Sequence, residues 1–287
     1  MDACKPILKY PGAKWRVAIW LQQFTPHMPR VVDLYGGSGA FLLTLPYTPK
    51  HLIYNDLSQD LIRLFQVLRN PDSRTRLCEA VTFTLWSRAE YLSVVEANGR
   101  VILTGDPVED ARRYLISTWQ ACKTNTSTRN GWRNMGAKNT TMDSSTWSVW
   151  RQLPERLAIA AERLQCAEIE SSPALTLIGR YCTPETLLYA DPPYVRTTVH
   201  GTRRKLYQHD MGDSDHEALL TALEAHPGPV MLSGYDNPLY TQRLTHWRKH
   251  TTQARAESNG ARTECLWLNP ICVERIGNGP IFTEVTL

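Results

Sequence analysis

Apolar residues fall along this chain in two rhythms. Three short, nearly continuous runs, Val31-Val32-Asp33-Leu34-Tyr35, His51-Leu52-Ile53-Tyr54-Asn55 and Thr186-Leu187-Leu188-Tyr189-Ala190, have the length and make-up of buried strands. Elsewhere apolar positions recur at helical spacing. They run from Ser58 to Arg69, where Asn70-Pro71 stops the pattern, then through Arg74 to Trp86, Ala89 to Glu96, Glu109 to Ala121 and Trp147 to Leu164, with no strand-turn alternation. Between Cys122 and Asp143 the periodicity is lost in a polar, basic stretch of Thr, Asn, Gly and Arg. This order predicts an α/β fold: a Rossmann-like sheet with helices on both faces, plus an inserted, mostly helical domain. The expected division is 1–70 and 175–287 for a split sheet domain and 71–174 for the insertion.

Candidate chemistry gathers where the apolar runs end. The third run leads into Asp191-Pro192-Pro193-Tyr194, at the strand end where α/β folds place their ligands. Both prolines lack an N–H and hold φ near −65°, so this segment is stiff and its carbonyls can only accept hydrogen bonds. A planar, amine-bearing base suits it: Asp191 and the Pro192 carbonyl accept the two amine hydrogens while Tyr194 covers the ring. The same tetrapeptide would serve as a plain turn, so its neighbours decide its meaning.

The first run passes into Gly36-Gly37-Ser38-Gly39 and then Ala40-Phe41-Leu42-Leu43, which reads as strand, glycine turn and helix start, with Ser38 the expected N-cap. The second run ends at Asp56, 20 residues beyond Gly36, a spacing that places an acid on the ribose hydroxyls of an adenosine cofactor. The G-x-G-x-x-G spacing of dinucleotide sites is absent, and so is the Lys-Ser or Lys-Thr of a phosphate loop. Asp33 would repel a phosphate and favour a cation. S-adenosylmethionine, which carries a sulfonium, an ammonium and an adenosine but no phosphate, is the expected cofactor.

These segments together resemble the Dam-type DNA adenine methyltransferases over nearly the whole chain. Lys9-Tyr10-Pro11-Gly12-Ala13-Lys14-Trp15 is similar to the family's N-terminal cofactor motif, Asp33 to Gly39 to its Gly-rich motif, Tyr54-Asn55-Asp56-Leu57 to the ribose-acid segment, and Asp191 to Tyr194 to its catalytic tetrapeptide. Asp215-His216, Leu232-Ser233-Gly234-Tyr235 and Arg262-Thr263-Glu264-Cys265-Leu266 follow in the family's order. The resemblance implies that Tyr10, Lys14, Asp56 and Asp191 contact the cofactor and that Asp191, Pro192, Pro193 and Tyr194 hold the target base. Asp33, Tyr35, Gly36, Gly37, Ser38 and Gly39 complete the expected cofactor set. Asp33-Leu34-Tyr35 stands where the family usually has Glu-Pro-Phe, keeping the charge and the ring. Residues 118–145 do not align with the family's DNA-reading hairpin, so its four-base site GATC does not carry over.

Charge supports a polyanionic partner. The net charge is only +4, but Ala111 to Met142 holds Arg112, Arg113, Lys123, Arg129, Arg133 and Lys138 and no acid, and Pro192 to His209 holds Arg196, Arg203, Arg204 and Lys205, again with none. Such clusters supply the salt-dependent phosphate contacts that fix register on a duplex. Within the first, Lys123, Asn125, Arg129, Trp132, Arg133, Asn134 and Lys138 are the expected reading set, Arg and Asn being suited to guanine and adenine edges and Trp132 to wedging at an opened base step. A third stretch, Asn237 to Ala256, with Arg243, Arg248, Lys249 and Arg255, reads equally as a solvated face.

Seven scattered cysteines without a C-x-x-C pair predict free buried thiols in a reducing compartment. The absence of an apolar leader or membrane-length run predicts a cytoplasmic protein with no membrane partner. His246 and His250 lack a third ligand, so no metal is expected. One chain carries all the segments, and a monomer suffices. The expected reaction is methyl transfer to the exocyclic amine of an adenine flipped out of double-stranded DNA. Three readings stand beside it: a cytosine amino-methyltransferase, in which Ser usually replaces the Asp of the tetrapeptide; a protein-glutamine enzyme, whose motif normally begins with Asn; and an inactive DNA-binding relative.

Overall fold

A computed structural model gives the structure of the chain and describes residues 4–10, 12–122, 131–133, 146–194, 211–255 and 261–277. The described residues form two compact units, one drawn from 4–13 and 58–166, the other from 14–57, 167–194 and 211–277. In chain order the helices are α1 (Ala18–Gln22), α2 (Ala40–Leu43), α3 (Gln59–Arg69), α4 (Pro71–Phe83), α5 (Arg88–Val94), α6 (Pro107–Gln120), α7 (Thr146–Arg151), α8 (Leu153–Leu164), α9 (Ala174–Arg180), α10 (Asp213–Glu224), α11 (Pro238–Arg243) and α12 (Pro270–Gly277). The strands are β1 (Arg30–Asp33), β2 (His51–Asn55), β3 (Ala167–Glu170), β4 (Thr186–Ala190), β5 (Val230–Tyr235), β6 (Arg248–Arg255) and β7 (Ala261–Leu268).

The helical unit contains α3 to α8. Asn70 ends α3 in an extended conformation, and its side chain accepts the Asp72 and Ser73 N–H groups to cap α4, with Pro71 opening the first turn. Asp106 caps α6 in the same way, next to Pro107. Leu61, Leu64, Phe65 and Leu68 form the buried stripe of α3, which packs against α6 and α8. The expected helix from Trp147 to Leu164 is two helices broken at Gln152, because Pro154 in the first turn of α8 has no N–H to continue the ladder from α7.

The other unit is built on a seven-stranded sheet of order β3-β2-β1-β4-β5-β7-β6, in which β1 to β5 are parallel and β7 runs antiparallel to both its neighbours. The mixed α/β fold class is as expected. The two compact units divide at Lys14, Ser58 and Ala167: α3 packs with the helices, whereas Ala167–Glu170 pairs with β2. The chain leaves β1 for β2 on one side and has β4 on the other, which is the switch point where such sheets open a crevice.

The two faces of the sheet divide sharply. Val32, Leu34, Ile53, Leu188, Ala190, Val230 and Leu232 join one apolar cluster with residues of α9, α10 and α11. Alternation then puts Asp33, Tyr54, Tyr189, Asp191, Ser233 and Tyr235 on the opposite face, and the pairings Asp33 with Tyr54 and Tyr189, and Tyr235 with Glu264, align them across strands. All seven cysteines are free, but Cys122, Cys166 and Cys182 are exposed, so the expectation of buried thiols fails for these three. None of the described helices is long and apolar enough to cross a membrane.

Candidate active site

The glycine turn after β1 is shaped by its neighbours. A side chain at Gly36 would overlap the ring of Tyr54, whose hydroxyl donates to the Gly37 carbonyl at 2.6 Å. Gly39, at φ 73°, is the N-cap of α2. Ser38 is buried and gives no side-chain cap, so the expected capping role is corrected: the left-handed turn puts Gly39 there instead. The Gly37 N–H donates to Asp56 Oδ2 at 2.9 Å, tying the turn to the end of β2. Asn55 holds the same corner, donating to the Leu34 carbonyl and accepting the Ser172 N–H, both at 2.9 Å.

Asp33 closes β1. It is 1% exposed; neither carboxylate oxygen has a well-formed hydrogen bond, and the Tyr35 backbone N–H gives it only a weak pull. Burial, then the nearby charges of Asp191 and Asp56, push its pKa well above the usual carboxylate value. A buried acid left unsatisfied at the end of a central strand is costly unless something positive or hydrogen-bonding arrives. The residues therefore fit a cationic ligand that needs a close backbone approach at Gly36 and Gly37.

Asp191 follows β4 directly and lies in a polar cluster. Lys14, from a short 3-10 turn (Lys14–Arg16), is 5% exposed; its Nζ lies 2.9 Å from Asp191 Oδ1, donates to Tyr194 Oη at 2.8 Å and is 3.7 Å from Glu264 Oε2. Burial alone would lower the Lys14 pKa, but Asp191, Tyr194 and Glu264 outweigh it and hold the ammonium well above its ordinary value. Ser233 on β5 donates to Asp191 Oδ1 at 2.8 Å. Tyr235 stacks on Tyr194, with ring centroids 4.0 Å apart at 23°. One ring face of the tetrapeptide tyrosine is thus covered, and Asp191 Oδ2 has no hydrogen-bond partner among the described residues.

A carboxylate acceptor, a stiff diproline and a tyrosine stand at the switch point of a parallel sheet, beside a glycine turn and an unsatisfied acid. A family model described as D12 class N6 adenine-specific DNA methyltransferase matches residues 10–257. The chain belongs to that family. Among curated proteins, none matches it. A D12 class enzyme transfers a methyl group to the N6 amine of adenine in DNA, so adenine is favoured over the cytosine and protein-glutamine readings.

In this D12 class methyltransferase, Asp33, Lys14, Asp191, Pro192, Pro193, Tyr194, Tyr35, Gly36, Gly37, Ser38, Gly39 and Asp56 all belong to the sheet unit, whereas Tyr10 belongs to the other. Sequence reasoning passed over Tyr189 and Ser233 as individual site residues and named Tyr235 and Glu264 only within family segments. A usable signal was present: Ser233 and Tyr235 interrupt an apolar strand at spacing two, and so share a face. Asp215 caps α10 by accepting the Gly212 N–H at 2.8 Å, and His216 is buried against Tyr240 Oη at 2.9 Å.

The expected reading set lies mostly outside the described residues: Lys123, Asn125, Arg129, Asn134, Lys138, Arg196, Arg203, Arg204 and Lys205. Trp132 and Arg133 are described. An antiparallel bridge joins Ala121 to Trp132, with Cys122 N–H donating to Gly131 O at 2.6 Å and Arg133 N–H to Gln120 O at 2.7 Å. Trp132 Nε1 donates to Gln120 Oε1 at 3.3 Å, and Arg133 Nε to the Ala121 carbonyl at 3.1 Å. Arg112 pairs with Glu109 and Glu90, and Arg113 with Glu109, so a phosphate would have to compete with these ion pairs. In the third basic stretch Arg243 pairs with Glu224 and Lys249 with Asp236. His246 precedes β6 and His250 lies on it, at the sheet edge.

Proposed function

We propose that the methyl donor is S-adenosylmethionine, bound along β1 and β2, and that Asp191 to Tyr194 hold the target adenine after it is flipped from duplex DNA. The observation that carries this reading is Asp33, a buried carboxylate without a well-formed hydrogen bond, beside a glycine turn and without any phosphate-binding lysine motif. When bound, S-adenosylmethionine supplies a methyl group on a positively charged sulfur. Asp33 would balance that ligand's positive charge, Gly36, Gly37, Ser38 and Gly39 would line it with backbone, and Asp56 would take its ribose hydroxyls. Tyr35 and Lys14 complete the set within the sheet unit.

The adenine amine is a weak nucleophile because its lone pair is delocalised into the ring. Asp191 and the Pro192 carbonyl, accepting both amine hydrogens, favour a tetrahedral nitrogen and stabilise the positive charge that grows on it. This is positioning and preorganised electrostatics. Lys14 Nζ now engages Asp191 Oδ1, so the amine meets the carboxylate at Oδ2 or displaces the ammonium. Tyr194, stacked on Tyr235, is the ring against which the base would stack. The 122–143 segment, rooted at the bridge between Ala121 and Trp132, reads the duplex, and the basic residues after Tyr194 hold its phosphates.

The test is to incubate the purified protein with unmethylated genomic DNA and S-adenosylmethionine and to sequence for modified adenines. Adenines marked in one short context are expected. Asp191→Ala should lose at least ~10²-fold in turnover, as for removal of one such electrostatic contact, while its melting profile shows a folded protein. Full activity in that variant would remove Asp191 from the mechanism.

A further inference from the structure

Behind Asp191 lies a hydrogen-bonded pair for which the reaction has so far required nothing. Ser233 is 1% exposed and its Oγ is 2.8 Å from Asp191 Oδ1 and 3.0 Å from Tyr189 Oη. Tyr189 is itself 2% exposed and stacks on Phe41, with centroids 3.8 Å apart at 19°. Its hydroxyl cannot reach water without moving a packed ring. A serine has one proton. Carboxylate Oδ1 accepts only, so Ser233 gives it that proton, and the other acceptor near Oγ, the Ala190 carbonyl, is farther at 3.5 Å. Tyr189 must then donate to Ser233. The direction of both bonds is fixed: Tyr189 O–H to Ser233 Oγ, and Ser233 O–H to Asp191 Oδ1.

We infer that Tyr189 and Ser233 are positioning residues for methyl transfer: a buried two-hydroxyl relay that fixes the plane of the Asp191 carboxylate and keeps Oδ2 turned toward the adenine amine. The proposal rests on Asp191 being the acceptor for that amine. The sheet supplies the geometry. Tyr189 and Met231 are register partners, so Asp191 and Ser233, two residues further along adjacent parallel strands, fall on the same face. Lys14 also binds Oδ1, but its ammonium is shared among Asp191, Tyr194 and Glu264, whereas the serine is held by its strand. A carboxylate free to rotate would spend part of its time unable to accept both the amine hydrogen and its other bonds. The transition state, in which that hydrogen bond strengthens, would lose more than ground-state binding does.

The relay is tested with Ser233→Ala, Tyr189→Phe, the double variant, and Ser233→Thr, which keeps the hydroxyl. Single-turnover methylation of a duplex is measured alongside KM for DNA and for S-adenosylmethionine, well below each variant's melting temperature. Ser233→Ala is expected to lower kcat about five- to tenfold with both KM values nearly unchanged, as for one lost hydrogen bond. Ser233→Thr should recover most of it. Once Ser233 is gone the Tyr189 hydroxyl has nothing to orient, so the double variant should be no slower than Ser233→Ala alone. Unchanged kcat with a lowered melting temperature, or additive losses in the double variant, overturns the relay and leaves a purely structural pair. Should Ser233→Ala not fold, Tyr189→Phe decides alone: a reduced kcat at unchanged KM supports the relay, and a full kcat overturns it. Full activity in Asp191→Ala would instead mean that the site reading itself has failed, taking the relay with it.

Discussion

Asp33→Asn should move stability and cofactor affinity in opposite directions. Asp33 is buried without a well-formed hydrogen bond, and burial followed by Asp191 and Asp56 outweighs a weak pull from the Tyr35 N–H and raises its pKa well above the ordinary carboxylate value of ~3.9. An acid whose folded pKa is raised binds more protons folded than unfolded, so its contribution to stability is complete below the unfolded pKa and is lost as pH rises through the folded one. Each pH unit inside that window costs about 1.4 kcal/mol, so an acid kept neutral up to pH 7 costs at most about 4 kcal/mol there. Asparagine has the same shape and takes up no proton. A protonated acid leaves one buried donor unpaired and an amide two, so only part of that penalty cancels. The cofactor-free variant should therefore be more stable than the parent by about 1–4 kcal/mol at pH 7, the gain fading toward zero near pH 4. Losing the countercharge to a cationic ligand should weaken binding by about 1.5–3 kcal/mol, or roughly 10- to 150-fold in Kd. Urea unfolding between pH 4.5 and 8, paired with calorimetric titration of S-adenosylmethionine, reads both. A variant no more stable than its parent at pH 7, or one that binds the cofactor as tightly, refutes the reasoning.

Three further substitutions probe other parts of the site. Lys14→Met leaves Asp191 without its cation and should cost roughly 3 kcal/mol in denaturant unfolding, the low end for a broken buried pair; adding Asp191→Asn should restore most of it. Gly36→Ala drives a methyl group into the Tyr54 ring and should cost about 1–3 kcal/mol, and a variant of unchanged stability would show that the turn has room to shift. Arg133→Ala removes the guanidinium that braces the Ala121 carbonyl and should weaken sequence discrimination more than nonspecific binding; an unchanged preference across a library of duplexes would exclude Arg133 from the readers.

The parts of this molecule that could be read from its sequence are those where local pattern and final environment agree. Strands β2 and β4 coincide with their apolar runs because both of their faces are covered, so nothing polar interrupts them. The tetrapeptide and the glycine turn were visible for a related reason: each lies at the end of such a run, where the chain must turn and a ligand can approach. Strand β3, Ala167–Glu170, carries two glutamates in four residues and is a strand only because β2 offers it an edge. The break at Gln152 was hidden since apolar spacing carries across it unaltered. Ser233 and Tyr235 were visible only as part of a family segment, with no role of their own, because a polar residue inside a buried strand gains its meaning from the neighbouring strand, here β4 with Asp191. The ion pairs of Arg112 and Arg113 were hidden for the opposite reason. The acid-free stretch that made them look available to phosphates begins just past Glu109, one helical turn away.

The strand order also sets a timetable for synthesis. Strand β1 must pair with β4, whose Thr186 is 156 residues from Arg30, and β2 must wait for β3. Helices α3 to α8, by contrast, are complete between residues 59 and 164, before either late strand has left the ribosome. Long-range parallel pairing is slow, and unpaired apolar strands are prone to aggregate meanwhile. The order of emergence therefore leaves Val31, Val32, Leu52 and Ile53 as exposed chain for as long as the middle of the protein takes to be made. Expression in slow-translating or cooled cells should test the solubility of this enzyme most severely at that stage, with truncations ending before Thr186 aggregating more than the full chain.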